Sequence, residues 1–127
     1  GLAFAIRCFT EKGDKVMVMP PVYHPFFLVT EKNKREVVYS PLVLRDGQYY
    51  IDFDRFRKDI QGCKILILSN PHNPGGRVWT REELEQIAEI CYESRSDLTT
   101  VSAYHFCTCV RESTSKFTRV HVSQQSI

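Results

Sequence analysis

The chain has 127 residues, of which 43% are apolar and 25% charged, with a net charge of +2. That balance belongs to an ordinary globular protein and suits one domain or a piece of one. The charge is too small, and no basic stripe stands out, to argue for nucleic acid or an anionic membrane, and no apolar run approaches the length of a membrane span.

Residues Leu2 to Phe9 are apolar at nearly every position except Arg7, which predicts a mostly buried helix with Gly13 as a stop just beyond its end. No basic region precedes them and no cleavage site follows, so they do not read as a signal peptide. With no initiator Met, the expectation is a chain that starts inside a longer protein. Lys15 to Met19 (KVMVM) predicts a buried strand, ended by Pro20-Pro21 because proline cannot donate to a ladder. A helix is expected from Pro25 through PFFLVTEKNK, then a strand over Glu36 to Tyr39 and a turn at Arg45-Asp46-Gly47. Phe53, Phe56 and Ile60 stand at helical spacing within Asp52 to Ile60, and Gly62 closes that helix. Lys64 to Leu68 (KILIL) predicts another buried strand.

Thr80 with Glu83 three residues later forms a capping box, in which each side chain satisfies the other's free backbone N–H. Leu84, Ile87, Ala88 and Cys91 follow at helical spacing. This alternation of strands and helices implies crossover units, a mostly parallel sheet and a three-layer α/β/α fold. Around Ser94 the character changes to a Ser- and Thr-rich stretch without a sustained period. VSAYHFCTCV, residues 101 to 110, could make one strand, and disorder is expected at the end of the chain.

Five cysteines are present, Cys8, Cys63, Cys91, Cys107 and Cys109. The odd count and the apolar settings of the first three read as small buried hydrophobes in a reducing compartment, hence a cytoplasmic protein. Cys107-Thr108-Cys109, with His105 nearby, lacks the spacing and the second ligand pair of a common zinc site, so no metal is expected.

The stretch SNPHNPGG, residues 69 to 76, concentrates conformational restriction directly after a strand. Each proline fixes its own φ and biases the asparagine before it away from the helical region, while Gly75 and Gly76 let the chain turn close to a ligand. In open α/β sheets ligands bind outside the carboxyl ends of strands. An asparagine amide held there is a suitable donor to a phenolate oxygen on a flat ligand. The alternative is a rigid turn whose asparagines cap backbone groups. PPVYHPF, residues 20 to 26, ends the earlier strand in the same manner, and its Tyr23 could stack on a planar ligand or serve as a rim residue. His24 and His72 fit proton shuttling by type, yet neither has a visible carboxylate partner, and solvation or local hydrogen bonding is the expectation for both.

Taken together, GLAFAIRCFTEKGDKVMVMPPVYHPFF, DGQYYIDFDRF and ILILSNPHNPGGRVWTREELEQIAEIC resemble the class I/II aminotransferase family of fold-type I pyridoxal-phosphate enzymes. Within it, the resemblance points to the cystathionine β-lyase or C–S lyase group of the MalY/PatB type, which also includes aminotransferases. It runs from residue 1 to about Tyr92. The resemblance implies a pyridoxal 5′-phosphate cofactor, an amino-acid substrate and a homodimeric parent enzyme. It implies that Asn73 donates to the cofactor's ring hydroxyl oxygen, that Tyr23 stacks on the ring, and that the peptide bonds before Pro21 and Pro74 are cis. Gly75 stands where the family often has Thr or Val.

The resemblance also marks departures. After the helix ending near Tyr92 the family continues with a Ser-Asp-Glu-Ile-His-like strand, whose aspartate pairs with the ring nitrogen. This chain has VSAYHFCTCV there, and Asp97 comes too early. The family's cofactor lysine and substrate arginine lie much later and have no counterpart here, and its phosphate-gripping helix start lies at or before Gly1. The expectation is therefore that residues 1–92 are part of a cofactor-binding large domain, with no catalytic residue of their own. Residues 93–127 are then a tail of frameshifted, spliced or divergent origin. A non-catalytic α/β binding or interaction fragment is the alternative, and lyase against aminotransferase stays open.

Overall fold

The computed structural model describes residues 1–94 and, beyond them, the backbone of residues 99–102, 109–111 and 117–119. Eight strands and four helices are described: α1 (Leu2–Phe9), β1 (Lys15–Val18), α2 (Pro25–Lys32), β2 (Glu36–Tyr39), β3 (Val43–Arg45), β4 (Gln48–Tyr50), α3 (Phe53–Asp59), β5 (Cys63–Leu68), α4 (Arg81–Glu93), β6 (Thr99–Ser102), β7 (Cys109–Arg111) and β8 (Phe117–Arg119). The main sheet has the order β2-β1-β5-β6-β7-β8, with β2, β1, β5 and β6 parallel to one another. β7 and β8 add antiparallel pairs.

Strand alternation divides the core into two layers. Val16 and Val18 of β1, with Ile65 and Ile67 of β5, face Ala5 and Ile6 of α1 and Phe26 of α2. Met17 and Met19, with Leu66 and Leu68, face Phe56 and Ile60 around α3, and Ile87 and Ile90 of α4. Both faces of β1 and β5 are covered, which is why KVMVM and KILIL are continuous apolar runs rather than alternating ones. The helices on either side complete the three-layer α/β/α sandwich.

The connections explain which helix lies on which face. From β1 the chain crosses through α2 to β2 on one side, and from β5 through α4 to β6 on the other. Right-handed crossovers running in opposite directions leave their helices on opposite faces. The order of the sheet therefore reverses between β1 and β5, and the turns that follow these two strands stand next to each other at the carboxyl edge.

Local signals set the element ends. The Asp52 side chain accepts from Arg55 N at 3.1 Å and caps α3. At α4, Glu83 N–H donates to Thr80 Oγ1 at 3.2 Å and Thr80 N–H donates to Glu83 Oε2 at 2.8 Å, so both halves of the capping box form. The turn signal at Arg45-Asp46-Gly47 closes a hairpin, β3–β4, that forms its own two-stranded sheet. Asp46 and Gly47 have φ of 48° and 76°, the pair of left-handed residues that a tight hairpin of this hand requires.

Two expectations change and one holds. Cys8 is exposed rather than buried, because it falls on the outward side of α1. Cys63 is buried, and desolvation pushes its thiol up to about 11, so it stays protonated and apolar in behaviour. The single strand expected over 101–110 is two strands instead, β6 and β7. The side chains of Cys107, Cys109 and His105, the candidate zinc group, lie outside the described residues, as does the end of the chain where disorder is expected. No helix among the described residues is long and apolar enough to cross a membrane.

Thr80→Ala removes half of the capping box. We expect a loss of about 1 kcal/mol in stability, read as a lower urea midpoint at unchanged slope.

Candidate functional site

The turn after β5 is fastened at almost every polar atom. Ser69 Oγ donates to Pro71 O at 2.9 Å and accepts from Asn73 N at 3.3 Å. Asn70 Oδ1 accepts from Trp79 N at 3.2 Å, and the Trp79 indole N–H donates to Ser69 O at 2.9 Å. His72 N–H donates to Arg77 O, and Gly76 N–H to His72 O. Gly76 has φ +65°, a value that glycine adopts without cost. The bonds before Pro71 and Pro74 are both cis.

The two asparagines of the motif thus separate in role. Asn70 is committed through its Oδ1 to a backbone N–H, the capping role of the rigid-turn alternative. The side-chain amide of half-buried Asn73 makes no hydrogen bond among the described residues, although its backbone is held at both ends. One free amide on a stiff backbone is the feature the prolines were expected to produce.

The turn after β1 lies against it. Pro20-Pro21 is cis, and Tyr23 N–H donates to Asn73 O at 2.9 Å. The ring of Tyr23 meets that of Phe26 edge-on at 5.6 Å, yet the residue is 43% exposed. The structure therefore brings Tyr23 and Asn73 together at the point where the order of the sheet reverses.

His72 is the contact that sequence reading passed over. It is only 2% exposed, and its Nε2 lies 2.7 Å from Pro21 O, a bond from one turn to the other. Burial lowers its pKa below the ordinary 6.5, opposed in part by the Pro21 hydrogen bond. A buried ring with this bond is not a solvated shuttle. His24 is exposed and stacks edge-on against Phe27 at 4.5 Å.

Arg77 binds the turn to its surroundings. Its guanidinium donates to Tyr49 O at 2.9 Å and to Val78 O at 2.9 Å, and pairs with Glu83, with both side chains largely buried. It also lies over the rings of Tyr50 and Trp79, at 5.3 and 5.2 Å. The hairpin, the turn and the start of α4 are joined through this one cation. Gly75 contributes space rather than an unusual φ. A Cβ there would sit 2.9 Å from Tyr49 Cδ2 and 3.0 Å from His72 Cδ2. The Tyr49 ring occupies the room that a larger residue would need.

The sequence matches the family described as aminotransferase class I and II over residues 1–105. It is 46% identical over 94 residues to cystathionine β-lyase PatB of Bacillus subtilis, a match covering 72% of this chain and 24% of that protein. The fold superposes on cystalysin of Treponema denticola, whose crystal structure contains a pyridoxal 5′-phosphate cofactor, with a TM-score of 0.75 and 39% identity over 80% of this chain and 26% of that one. The PLP-bound C–S lyase of Staphylococcus hominis gives 0.74 and 40%, covering 79% of this chain and 26% of its own. The chain thus spans about a quarter of the length of these relatives.

Gly75→Val forces a Cβ into the Tyr49 and His72 rings. We expect a loss of about 1–3 kcal/mol by urea unfolding, partly recovered in the double variant with Tyr49→Ala. For His72 the sign follows from the lowered pKa: the unfolded ring takes up a proton before the folded one. Its contribution is intact above the ordinary 6.5 and is lost as pH falls below that value. The urea midpoint should therefore drop between about pH 7.5 and 5.5, and His72→Gln should flatten that part of the profile.

Proposed function

Because this chain belongs to the class I and II aminotransferase family, we propose that residues 1–92 are part of the cofactor-binding domain of a pyridoxal-phosphate-dependent enzyme acting on amino acids. The observation that carries this is the contact between the two turns, Tyr23 N–H to Asn73 O at 2.9 Å at the sheet's switch point. It places an exposed aromatic ring and an unpartnered amide on adjoining backbone. These are the groups that a flat, hydroxyl-bearing heterocycle needs on one face and one edge. A C–S β-lyase is favoured over an aminotransferase by the 46% and 40% identities to proteins bearing that activity in their names.

Bound pyridoxal phosphate supplies an electron sink for bond breaking at the α-carbon of an amino acid. The residues of this chain would hold and orient it. The Asn73 amide N–H donates to the ring hydroxyl oxygen and favours its anionic form. The Tyr23 ring covers a face of the heterocycle and keeps water from it. Gly75 and Gly76 keep the backbone beside Asn73 slim, and the ties through Trp79 and Arg77 keep it still.

The chain does not supply a covalent anchor within its described portion. All six lysines of residues 1–94 (Lys12, Lys15, Lys32, Lys34, Lys58 and Lys64) lie at strand starts or on the segments leading into them. In a parallel sheet that is the amino edge, opposite the Tyr23–Asn73 pair. The remaining groups, a lysine, a carboxylate for the ring nitrogen and a cation for the substrate carboxylate, would come from other parts of a longer, homodimeric polypeptide.

Pyridoxine 5′-phosphate, which cannot condense with an amine, tests the reading. In the 127-residue chain we expect it to shift the NMR signals of the Asn73 side-chain amide and the Tyr23 ring. Asn73→Ala should weaken that binding about tenfold, and Asn73→Asp, which offers only acceptors, should abolish it. Equal shifts of the Tyr23 ring signals in all three proteins would refute the assignment. Borohydride trapping with pyridoxal phosphate should leave none of the six lysines modified one-to-one.

A further inference from the structure

Two hydrogen bonds join the turn after β1 to the turn after β5 among the described residues. One is the backbone bond from Tyr23 to Asn73, and the other comes from the imidazole of His72. We propose that His72 is a positioning residue for this site: as a neutral ring, it clamps Pro21 O through Nε2–H and thereby sets Tyr23 beside Asn73. This rests on the reading of Tyr23 and Asn73 as the pair that faces the cofactor.

The protonation pattern follows from the partner. A carbonyl oxygen only accepts, so the nitrogen 2.7 Å from Pro21 O carries the hydrogen. In a neutral ring the other nitrogen, Nδ1, is then a bare acceptor. Nδ1 is buried and has no hydrogen-bond partner. Adding a proton there would create both a buried charge and a buried N–H without an acceptor, each costly in this setting. The ring is therefore confined to one tautomer.

Its orientation is confined as well. The Trp79 ring packs against it at 5.6 Å and an angle of 64°, and Trp79 is itself held by Ser69 O and Asn70 Oδ1. On another side Gly75 has no Cβ, which leaves His72 Cδ2 just enough room. Backbone bonds to Arg77 O and from Gly76 N–H fix the main chain. Tyr49 of β4 shares with His72 the space beside Gly75, and Arg77, paired with Glu83, lies over the Trp79 ring that packs against His72. Neither member of that pair offers a free charge to the ring. His72 is adjacent to Asn73 in sequence, and its acceptor is two residues before Tyr23. A shift in this one bond therefore moves both functional side chains relative to each other.

The test uses the full 127-residue chain. With labelled histidine, the nitrogen spectrum of His72 at neutral pH should be that of the neutral Nε2–H tautomer. An Nδ1–H tautomer or a doubly protonated ring overturns the proposal without any variant being needed. His72→Leu should speed deuterium exchange at the Tyr23 amide about fivefold, the effect of losing one ordinary hydrogen bond, while the β1 and β5 amides keep their protection. His72→Gln, whose side-chain N–H can reach the same carbonyl, should restore slow exchange. Unchanged exchange at Tyr23 in His72→Leu refutes the clamp. Titration with pyridoxine 5′-phosphate separates the two readings. If the unaltered chain fails to bind while exchange responds as expected, the cofactor reading falls and the clamp stands. If the unaltered chain and His72→Leu bind equally, positioning falls and the cofactor reading stands.

Discussion

When β1 and β5 pair side by side and parallel, their carboxyl ends arrive at the same edge of the sheet. Every feature of the candidate site depends on that pairing. Residues 20–26 and 69–76 are far apart in the chain, and only the ladder Val16 to Ile65 and Met17 to Leu66 brings the turns after them together. The pairing is driven by burial on both faces, since the β-strand residues Val16 to Val18 and Ile65 to Ile67 are almost wholly removed from water. The right-handed crossovers then carry the flanking helices to opposite faces and leave the edge between the strands open to a ligand.

The turn after β5 shows how a chain keeps a polar group available while tying down the backbone on either side of it. Ser69 Oγ, Asn70 Oδ1, His72 Nε2, the Arg77 guanidinium and the Trp79 indole N–H each bond to the turn itself or to what adjoins it. An amide left over from such a network cannot relax onto the backbone nearby, because those positions are already taken. Asn73 is that leftover. The Arg77–Glu83 pair extends the same logic outward, since the carboxylate that caps α4 also holds the cation that ties down the hairpin.

Much of this was legible in the residue order. KVMVM, KILIL and the Thr80–Glu83 box announced their elements because burial on both faces and reciprocal capping leave local signatures. The prolines of both turns announced stiffness. The hairpin was seen only as its turn, because strands of three residues carry too short an alternation to register. Cys8 was misjudged because an apolar run does not say which helical face meets the sheet. His72 was passed over because its partner, a carbonyl oxygen 51 residues away, has no side-chain signature at all.

Sequence alone determined the kinds of element, their order, the stiff turns and the two residue types, tyrosine and asparagine, suited to a flat ligand. These follow from local physics: fixed φ at proline, capping geometry and the period of apolar residues. Tertiary structure alone decided what Asn70 Oδ1 caps, why Gly75 must be small and how the two turns are bound together. Those outcomes depend on which distant groups share one edge of the sheet, and adjacency in space is settled by strand pairing rather than by any neighbouring residue.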